Sequence, residues 1–228
     1  MSVDPVSWQP PRLDVVGGGS FPVRHVWCVG RNYAEHAREM GVDPDKSDPV
    51  FFAKPAASMH QQQRVQYPVA TGELHHEVEL VVCLAEGGRS LSADQWAGRI
   101  FGYAVGVDLT RRDVQACYKK AGQPWELSKG FDQAAPVGAI VRASDWSPDP
   151  EAGIELQVNG MLRQQATLGE MIWHVPSLLE RLSHILTLHA GDVLMTGTPA
   201  GVGPLQIDDR VLARISGLPV LEFSVRGA

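Results

Sequence analysis

Short apolar runs separated by glycine, proline and polar clusters dominate this chain, and the elements they predict are mostly strands. Residues 1–20 read as an irregular arm ending in Gly17-Gly18-Gly19. His25–Val29 is a first strand, Asn32–Met40 a short, charge-rich helical pattern closed by Gly41, and Val42–Pro49 a polar loop. Val50–Ala53 is strand-like again and runs into Lys54-Pro55. Glu77–Leu84 and Ile100–Asp108 read as buried strands, with a short helix over Ser92–Ala97, capped by Ser92, between them. Thr110–Lys120 is helical, capped by Thr110 and stopped near Gly122-Gln123-Pro124.

In the second half, Ile154–Val158 and Met161–Gln165 flank Asn159-Gly160. That dipeptide favours a two-residue hairpin turn, because both residues tolerate positive φ. Val175–Leu186 is an amphipathic helix with Pro176 in its first turn. Asp192–Thr196 is a strand that feeds the loop Gly197–Pro204, and Val211–Ile215 and Leu221–Val225 close the chain. The prediction is an α+β, β-rich protein: an N-terminal arm over residues 1–22 and a single domain over 23–228.

Composition narrows the class. At 228 residues, 44% hydrophobic and 20% charged, the chain is long enough to bury a core and ordinary for a soluble protein. Its net charge of −6, without a Lys/Arg cluster, argues against nucleic-acid binding. No apolar run reaches the length of a membrane span, and Met1–Arg12 holds no hydrophobic signal region, so the expected location is the cytoplasm. Cys28, Cys83 and Cys117, odd in number and widely spaced, fit reduced thiols. The 23 glycines and 16 prolines favour many turns over long helices.

Three acids break the apolar runs: Glu77 and Glu79 in HHEVEL, and Asp108 in GVDLT. On a strand Glu77 and Glu79 share a face. Adjacent carboxylates resist burial unless something positive joins them. An all-oxygen donor set without matching Cys or His suits a hard divalent cation, Mg²⁺ or Mn²⁺. The acids thus point to a metal-dependent enzyme acting on an oxygen-rich small molecule. The glycine-rich loop after Thr198 lacks the Gly-Lys-Ser/Thr ending of a P-loop, which excludes that mode of nucleotide binding.

Seven separated motifs carry a resemblance: VGRNYAEHAREMG (29–41), FFAKP (51–55), HHEVELVV (75–82), GYAVGVDLTRRDVQ (102–115), KKAGQPWELSKGFD (119–132), VNGMLRQ (158–164) and GDVLMTGTPAGVGPL (191–205). In this order the chain resembles the fumarylacetoacetate hydrolase superfamily, in its short acylpyruvase-like branch. The resemblance implies a mixed β-roll, a homodimer and one divalent metal per subunit held by Glu77, Glu79 and Asp108. It also implies an active-site lysine at Lys129 and, on a lid, a His36–Glu39 dyad that activates water. His36 and Glu39, three apart, share a helical face. By the same resemblance Arg112 and Gln115 reach the substrate carboxylate, Lys54 is a pocket lysine and Thr198 offers a hydroxyl at the pocket mouth. Arg31 and Tyr33 either contact substrate or cap their loop. Arg111, on another face from Arg112, is expected at the surface, and His75 is expected to support Glu77 through a hydrogen bond.

The implied substrate is a 2-oxo or 2,4-diketo acid such as acetylpyruvate or fumarylpyruvate. The implied reaction is hydrolytic C–C cleavage to pyruvate enolate and a carboxylic acid. Enolate stabilisation serves oxaloacetate equally, so decarboxylation, enol–keto tautomerisation, and isomerase or decarboxylase steps of aromatic-acid breakdown stand as alternatives. A 2-oxo acid binder without turnover is the remotest.

Overall fold

Every residue of the strand Val78–Leu84 is buried because both its faces are covered. Val78, Leu80, Val82 and Leu84 enter the main core, whereas Val81 and Cys83 join a second apolar cluster on the opposite face. A strand covered on both sides reads as a continuous apolar run. The same two-residue period places Glu79 on the Val81/Cys83 face.

The computed structural model describes residues 7–39 and 48–227. Met40 and Gly41, expected to end the first helix, and residues 42–47 of the polar loop lie outside them, as do residues 1–6 of the arm. Val78–Leu84 sits within a six-stranded mixed sheet. The order is Val141–Arg142, Ile100–Val107, Val78–Leu84, Val193–Met195, Val26–Gly30 and Val50–Lys54. Within it Val193–Met195 runs parallel to Val26–Gly30 and antiparallel to Val78–Leu84. A five-stranded sheet is ordered Met161–Thr167, Gly153–Val158, Arg210–Ile215, Leu221–Arg226 and Arg64–Gln66. Its first two strands form the hairpin expected at Asn159-Gly160, both of which adopt positive φ. The main core draws Leu80, Val82 and Val105 from one sheet, Leu156, Ala213 and Phe223 from the other, and Leu178, Leu179 and Leu182 from the helix Val175–Ile185. The result is the strand-dominated α+β fold expected.

Three local expectations change. The arm is not irregular throughout: Arg12–Asp14 and Ser20–Pro22 pair as a hairpin, and Leu13, Val15 and Phe21 fill the second cluster. Strands of three residues are too short for alternation to show. Glu77 is not inside one continuous strand. It joins Leu74–His76, in a three-stranded sheet, to Val78–Leu84. Thr110 does not cap a helix. Thr110 and Arg111 pair with His75 and Leu74, and the helix begins at Arg112. This small sheet holds the backbones of Glu77 and Asp108 together: the Asp108 N–H donates to the Glu77 carbonyl at 2.8 Å.

Leu156 is fully buried between the sheets, whereas its hairpin neighbour Leu162 is half exposed. Leu156→Ala should destabilise the protein by about 3 kcal/mol through lost transfer energy and a residual cavity. Leu162→Ala should cost under about 0.5 kcal/mol. Urea midpoints at unchanged m-value provide the check; equal costs at the two positions would contradict this assignment of the core.

Candidate active site

Glu77, Glu79 and Asp108 are all buried, and one carboxylate oxygen from each lies within 4.8 Å of the others. Three cations converge on them. Lys129, from the short helix Glu126–Lys129, donates to Glu77 Oε2 at 2.7 Å and to Asp108 Oδ2 at 2.6 Å. Arg112 donates to Glu77 Oε1 through Nη2 and to Gln115 Oε1 at 2.7 Å through Nη1. Lys54 sits 2.7 Å from Asp108 Oδ1. Burial opposes the Glu77 charge, but Lys129 and Arg112 outweigh it and hold its carboxyl well below the usual range. Burial likewise opposes the Lys129 charge, yet Asp108 and Glu77 raise its ammonium above the ordinary lysine value. Glu79 lacks such a partner. Burial, with Asp108 and Glu77 beside it, pushes its carboxyl well up, and among the described residues only the Gly197 N–H, at 2.9 Å, donates to it.

Lys54 is not a wall of the pocket. Its ammonium donates to the carbonyls of Leu109, Lys129 and Ala134 at 3.1, 2.5 and 3.1 Å. Its three N–H bonds are therefore used on backbone, and it acts from behind, fixing the segments that carry Asp108 and Lys129. Asp108 Oδ1 therefore keeps the close ion-pair contact with Lys54 but, among the described residues, no hydrogen bond is directed at it. Three buried carboxylates whose oxygens lie this close, one of them without a cationic partner, form an all-oxygen donor set that fits a divalent cation well. Glu77, Glu79 and Asp108 are the residues that would hold one.

A cleft of about 300 Å³ opens over this floor, lined by Glu77, Glu79, Lys129, Arg112, Gln115 and Thr198, with His36, Arg31 and Lys119 among its other walls. His36 comes from the helix Ala34–Glu39, and its Nδ1 lies 3.4 Å from Glu39 Oε2. Burial dominates its electrostatics and lowers the imidazole below its ordinary pKa, although Glu77 and Glu39 pull the other way. Arg31 adopts φ +66°, the left-handed region, at the turn before this helix. Tyr33, by contrast, packs into the main core, its hydroxyl without a hydrogen-bond partner among the described residues, and does not line the cleft, so it is not a substrate contact in this arrangement. Tyr33 makes an isolated antiparallel bridge to Met171, itself part of that core.

Two other expectations shift. Arg111 is half buried rather than a surface residue: its guanidinium stacks 5.1 Å from the Phe131 ring and donates to the Leu127 carbonyl. The histidine tied into the site is His76, not His75. Among the described residues the ion-pair contact of His75 is to Glu73, at 4.0 Å and away from the floor, whereas buried His76 donates from Nδ1 to Gln164 Oε1 at 2.9 Å. Gln164 was not anticipated. The Val78 N–H donates to its oxygen at 3.1 Å, which fixes the amide's orientation. Its NH₂ then donates to Thr198 Oγ1 at 2.7 Å and to the Pro199 carbonyl at 2.8 Å. Thr198 already accepts there, so its own O–H is free to donate into the cleft. Asn32 was also missed. Fully buried, it donates to the carbonyls of Trp173 and Thr196 at 2.9 and 2.8 Å and accepts from the Trp173 N–H at 2.8 Å. Neither side chain had a spacing signal. Gly197, at φ +92°, has room for no Cβ: one would sit 2.8 Å from Asn32 Cβ.

The sequence matches the C-terminal domain of fumarylacetoacetate (FAA) hydrolase over residues 25–226. This chain belongs to the fumarylacetoacetate hydrolase family. Its relatives within that family have different named activities. The oxaloacetate tautomerase YcgM of Escherichia coli is 42% identical over 213 residues, 92% of this chain and 94% of the relative. The fumarylpyruvate hydrolase of Pseudomonas aeruginosa, solved in complex with Mn²⁺ and pyruvate, superposes with a TM-score of 0.96 at 40% identity over 100% of both chains. The 5-carboxymethyl-2-hydroxymuconate delta-isomerase of Mycobacterium smegmatis gives 0.80 at 34% identity, over 92% and 86% of the two chains. Family membership therefore brings hydrolase, tautomerase and isomerase chemistry into play on a common fold.

The acidic floor yields a direct test. Chelator-stripped protein given Mn²⁺ at about a hundred times its Kd should gain about 2.7 kcal/mol, a rise in Tm of roughly 5–10 °C. Glu79→Gln mimics the protonated carboxyl, so it should spare the Tm of stripped protein while removing most of the Mn²⁺-induced rise. A wild-type Tm indifferent to Mn²⁺ would overturn the metal assignment.

Proposed function

We propose that this protein hydrolyses the C–C bond of an acylpyruvate, a 2,4-diketo acid, giving pyruvate and a carboxylic acid. The observation that carries the reading is a buried imidazole, His36, backed by a carboxylate and facing the same cleft as the three-acid floor. Burial keeps it neutral at physiological pH, the form that can take a proton from water. A divalent cation, Mg²⁺ or Mn²⁺, held by Glu77, Glu79 and Asp108 would supply electrophilic stabilisation of the 2-oxo oxygen. The Mn²⁺–pyruvate complex of the P. aeruginosa hydrolase supports that choice of ligand and metal class.

The remaining steps belong to side chains. Arg112 offers a guanidinium to the substrate carboxylate. Because Arg112 already donates to Gln115 Oε1, the Gln115 NH₂ is left to donate into the cleft. Glu39 accepts from His36 Nδ1–H, which leaves Nε2 unprotonated to take a proton from water. The hydroxide adds to the distal acyl carbon, the C3–C4 bond breaks, and its electron pair moves into the enolate of pyruvate. Two of the Lys129 N–H bonds are used on Glu77 and Asp108, so the third can donate to the developing enolate oxygen. Proton return to C3 from the imidazolium gives pyruvate and restores His36.

A second reading, enol–keto tautomerisation of oxaloacetate, is favoured by the similarity to the E. coli tautomerase. There His36 would shuttle a proton at C3, and no water would be consumed. Both readings are tested by assaying Mn²⁺-loaded protein side by side with acetylpyruvate, fumarylpyruvate and oxaloacetate. Metal-dependent acylpyruvate cleavage outpacing oxaloacetate conversion is the expected result; oxaloacetate turnover alone would sink the hydrolase reading. His36→Ala should lower kcat for cleavage by about 10²–10⁴-fold. Protonation disables the base, so wild-type kcat/KM should rise with pH through the depressed His36 pKa and level off by neutrality. Persistence of that acid limb in His36→Ala would assign it to another group.

A further inference from the structure

His36 is carried by a helix of six residues, Ala34–Glu39, too short to persist by itself in water. Its direction over the floor is therefore set by what the flanking chain grips. The chain leaves the central sheet at Gly30 and returns at Val50, and those two residues are paired neighbours on adjacent strands. Pairing at the base fixes where the excursion begins and ends. It does not fix which way the excursion leans.

Two further grips converge on the short stretch Met171–Trp173 and the helix after it, Val175–Ile185. Before the His36 helix, Tyr33 bridges to Met171, and the Ile172 N–H donates to the Asn32 carbonyl at 2.8 Å. The Asn32 side chain accepts from the Trp173 N–H at 2.8 Å and donates to the Trp173 carbonyl at 2.9 Å. Beyond the His36 helix in the chain, Asp48 Oδ1 accepts from Arg181 Nη1 at 3.0 Å. The Arg181 guanidinium carbon in turn lies 3.7 Å from the centre of the Trp173 ring. An exposed ion pair is ordinarily weak, because ordering two long side chains offsets the attraction. Here stacking already orders the guanidinium, a planar group suited to an aromatic face. Trp173 thus serves both ends: its backbone holds Asn32, and its ring presents Arg181 to Asp48.

We propose that Trp173 and Arg181 form a platform that positions His36 over the acidic floor by gripping the chain on both sides of its helix. The inference rests on the proposed reading of His36 as the base. Trp173, Arg181 and Asp48 are not among the described walls of the cleft, so they are positioning residues that act through the imidazole. A displacement of about 1 Å at a reacting group is enough to cost roughly 10²-fold in rate. Loosening the platform therefore slows the proton transfer and leaves the metal floor and the substrate contacts in place.

The test is steady-state kinetics of Mn²⁺-loaded protein on acetylpyruvate, fumarylpyruvate and oxaloacetate, using whichever of them is turned over. Arg181→Ala should lower kcat about 3–30-fold, the combined worth of the stack and the ion pair. KM should stay within twofold, and the Mn²⁺-induced rise in Tm should be unchanged. Asp48→Asn removes the pair alone and should lower kcat about 2–5-fold, whereas Asp48→Glu should restore it. In a His36→Ala background, Arg181→Ala should alter the residual rate less than twofold, since no base remains to misplace. An unchanged kcat in Arg181→Ala, a loss confined to KM, or an equal loss in the His36→Ala background would each overturn the platform. A wild type inert towards all three substrates, or a His36→Ala variant as active as the wild type, would instead overturn the reading of His36 and the platform with it.

Discussion

Three carboxylates buried in an apolar fold need three cations, and the surrounding architecture supplies them from three separate segments. Lys54 arrives on the edge strand Val50–Lys54, Arg112 at the start of the helix Arg112–Lys120, and Lys129 at the end of Glu126–Lys129. Removing one partner of a buried pair leaves an uncompensated charge and typically costs about 3–5 kcal/mol. These contacts therefore fix where the three segments sit, since none can lose its cation without stranding a buried carboxylate. Lys54 makes the coupling explicit, since one ammonium holds the backbones that carry Asp108 and Lys129.

The balance is uneven within the trio. Glu77 and Asp108 have cationic partners; Glu79 has one backbone N–H and two anionic neighbours. A floor formally neutral in protein charge but containing one uncompensated carboxylate is prepared for a divalent cation. Once filled, it is net positive and suited to an oxyanion. Enolate formation is common to C–C hydrolysis and oxaloacetate tautomerisation. This explains how relatives with such different named activities can share one scaffold. What distinguishes the reactions is then a matter of the walls, above all of a base that reaches water or C3.

Those walls are positioned by polar side chains outside the charged cluster. Asn32 joins the turn before the His36 helix to the loop that follows Val193–Met195. Gly197 lets that loop approach Asn32 and give its N–H to Glu79. Gln164, on the hairpin of the other sheet, turns the Thr198 hydroxyl toward the cleft. Glu39 also accepts from the Gly201 N–H at 3.3 Å, so the helix that presents His36 and the glycine loop are linked at a second point.

Much of this protein is legible in its sequence. Continuous apolar runs, the Asn159-Gly160 turn and Pro176 fix the strand-rich class and its principal elements, because period, φ tolerance and missing donors are local properties. Acids inside apolar runs expose the floor for a related reason: an unpaired buried charge is too costly to be incidental. Other features depend on long-range partners and leave no local trace. The hairpin Arg12–Asp14/Ser20–Pro22 is too short for a pattern, and Thr110–Arg111 leaves the helix to pair with Leu74–His75. Whether Lys54 faces substrate or stands behind Asp108, whether Tyr33 lines the cleft or the core, and which of His75 and His76 supports the site are questions of burial and direction. Only the packing of the sheets decides those, since a side chain's chemistry is fixed by its residue type but its role by what surrounds it.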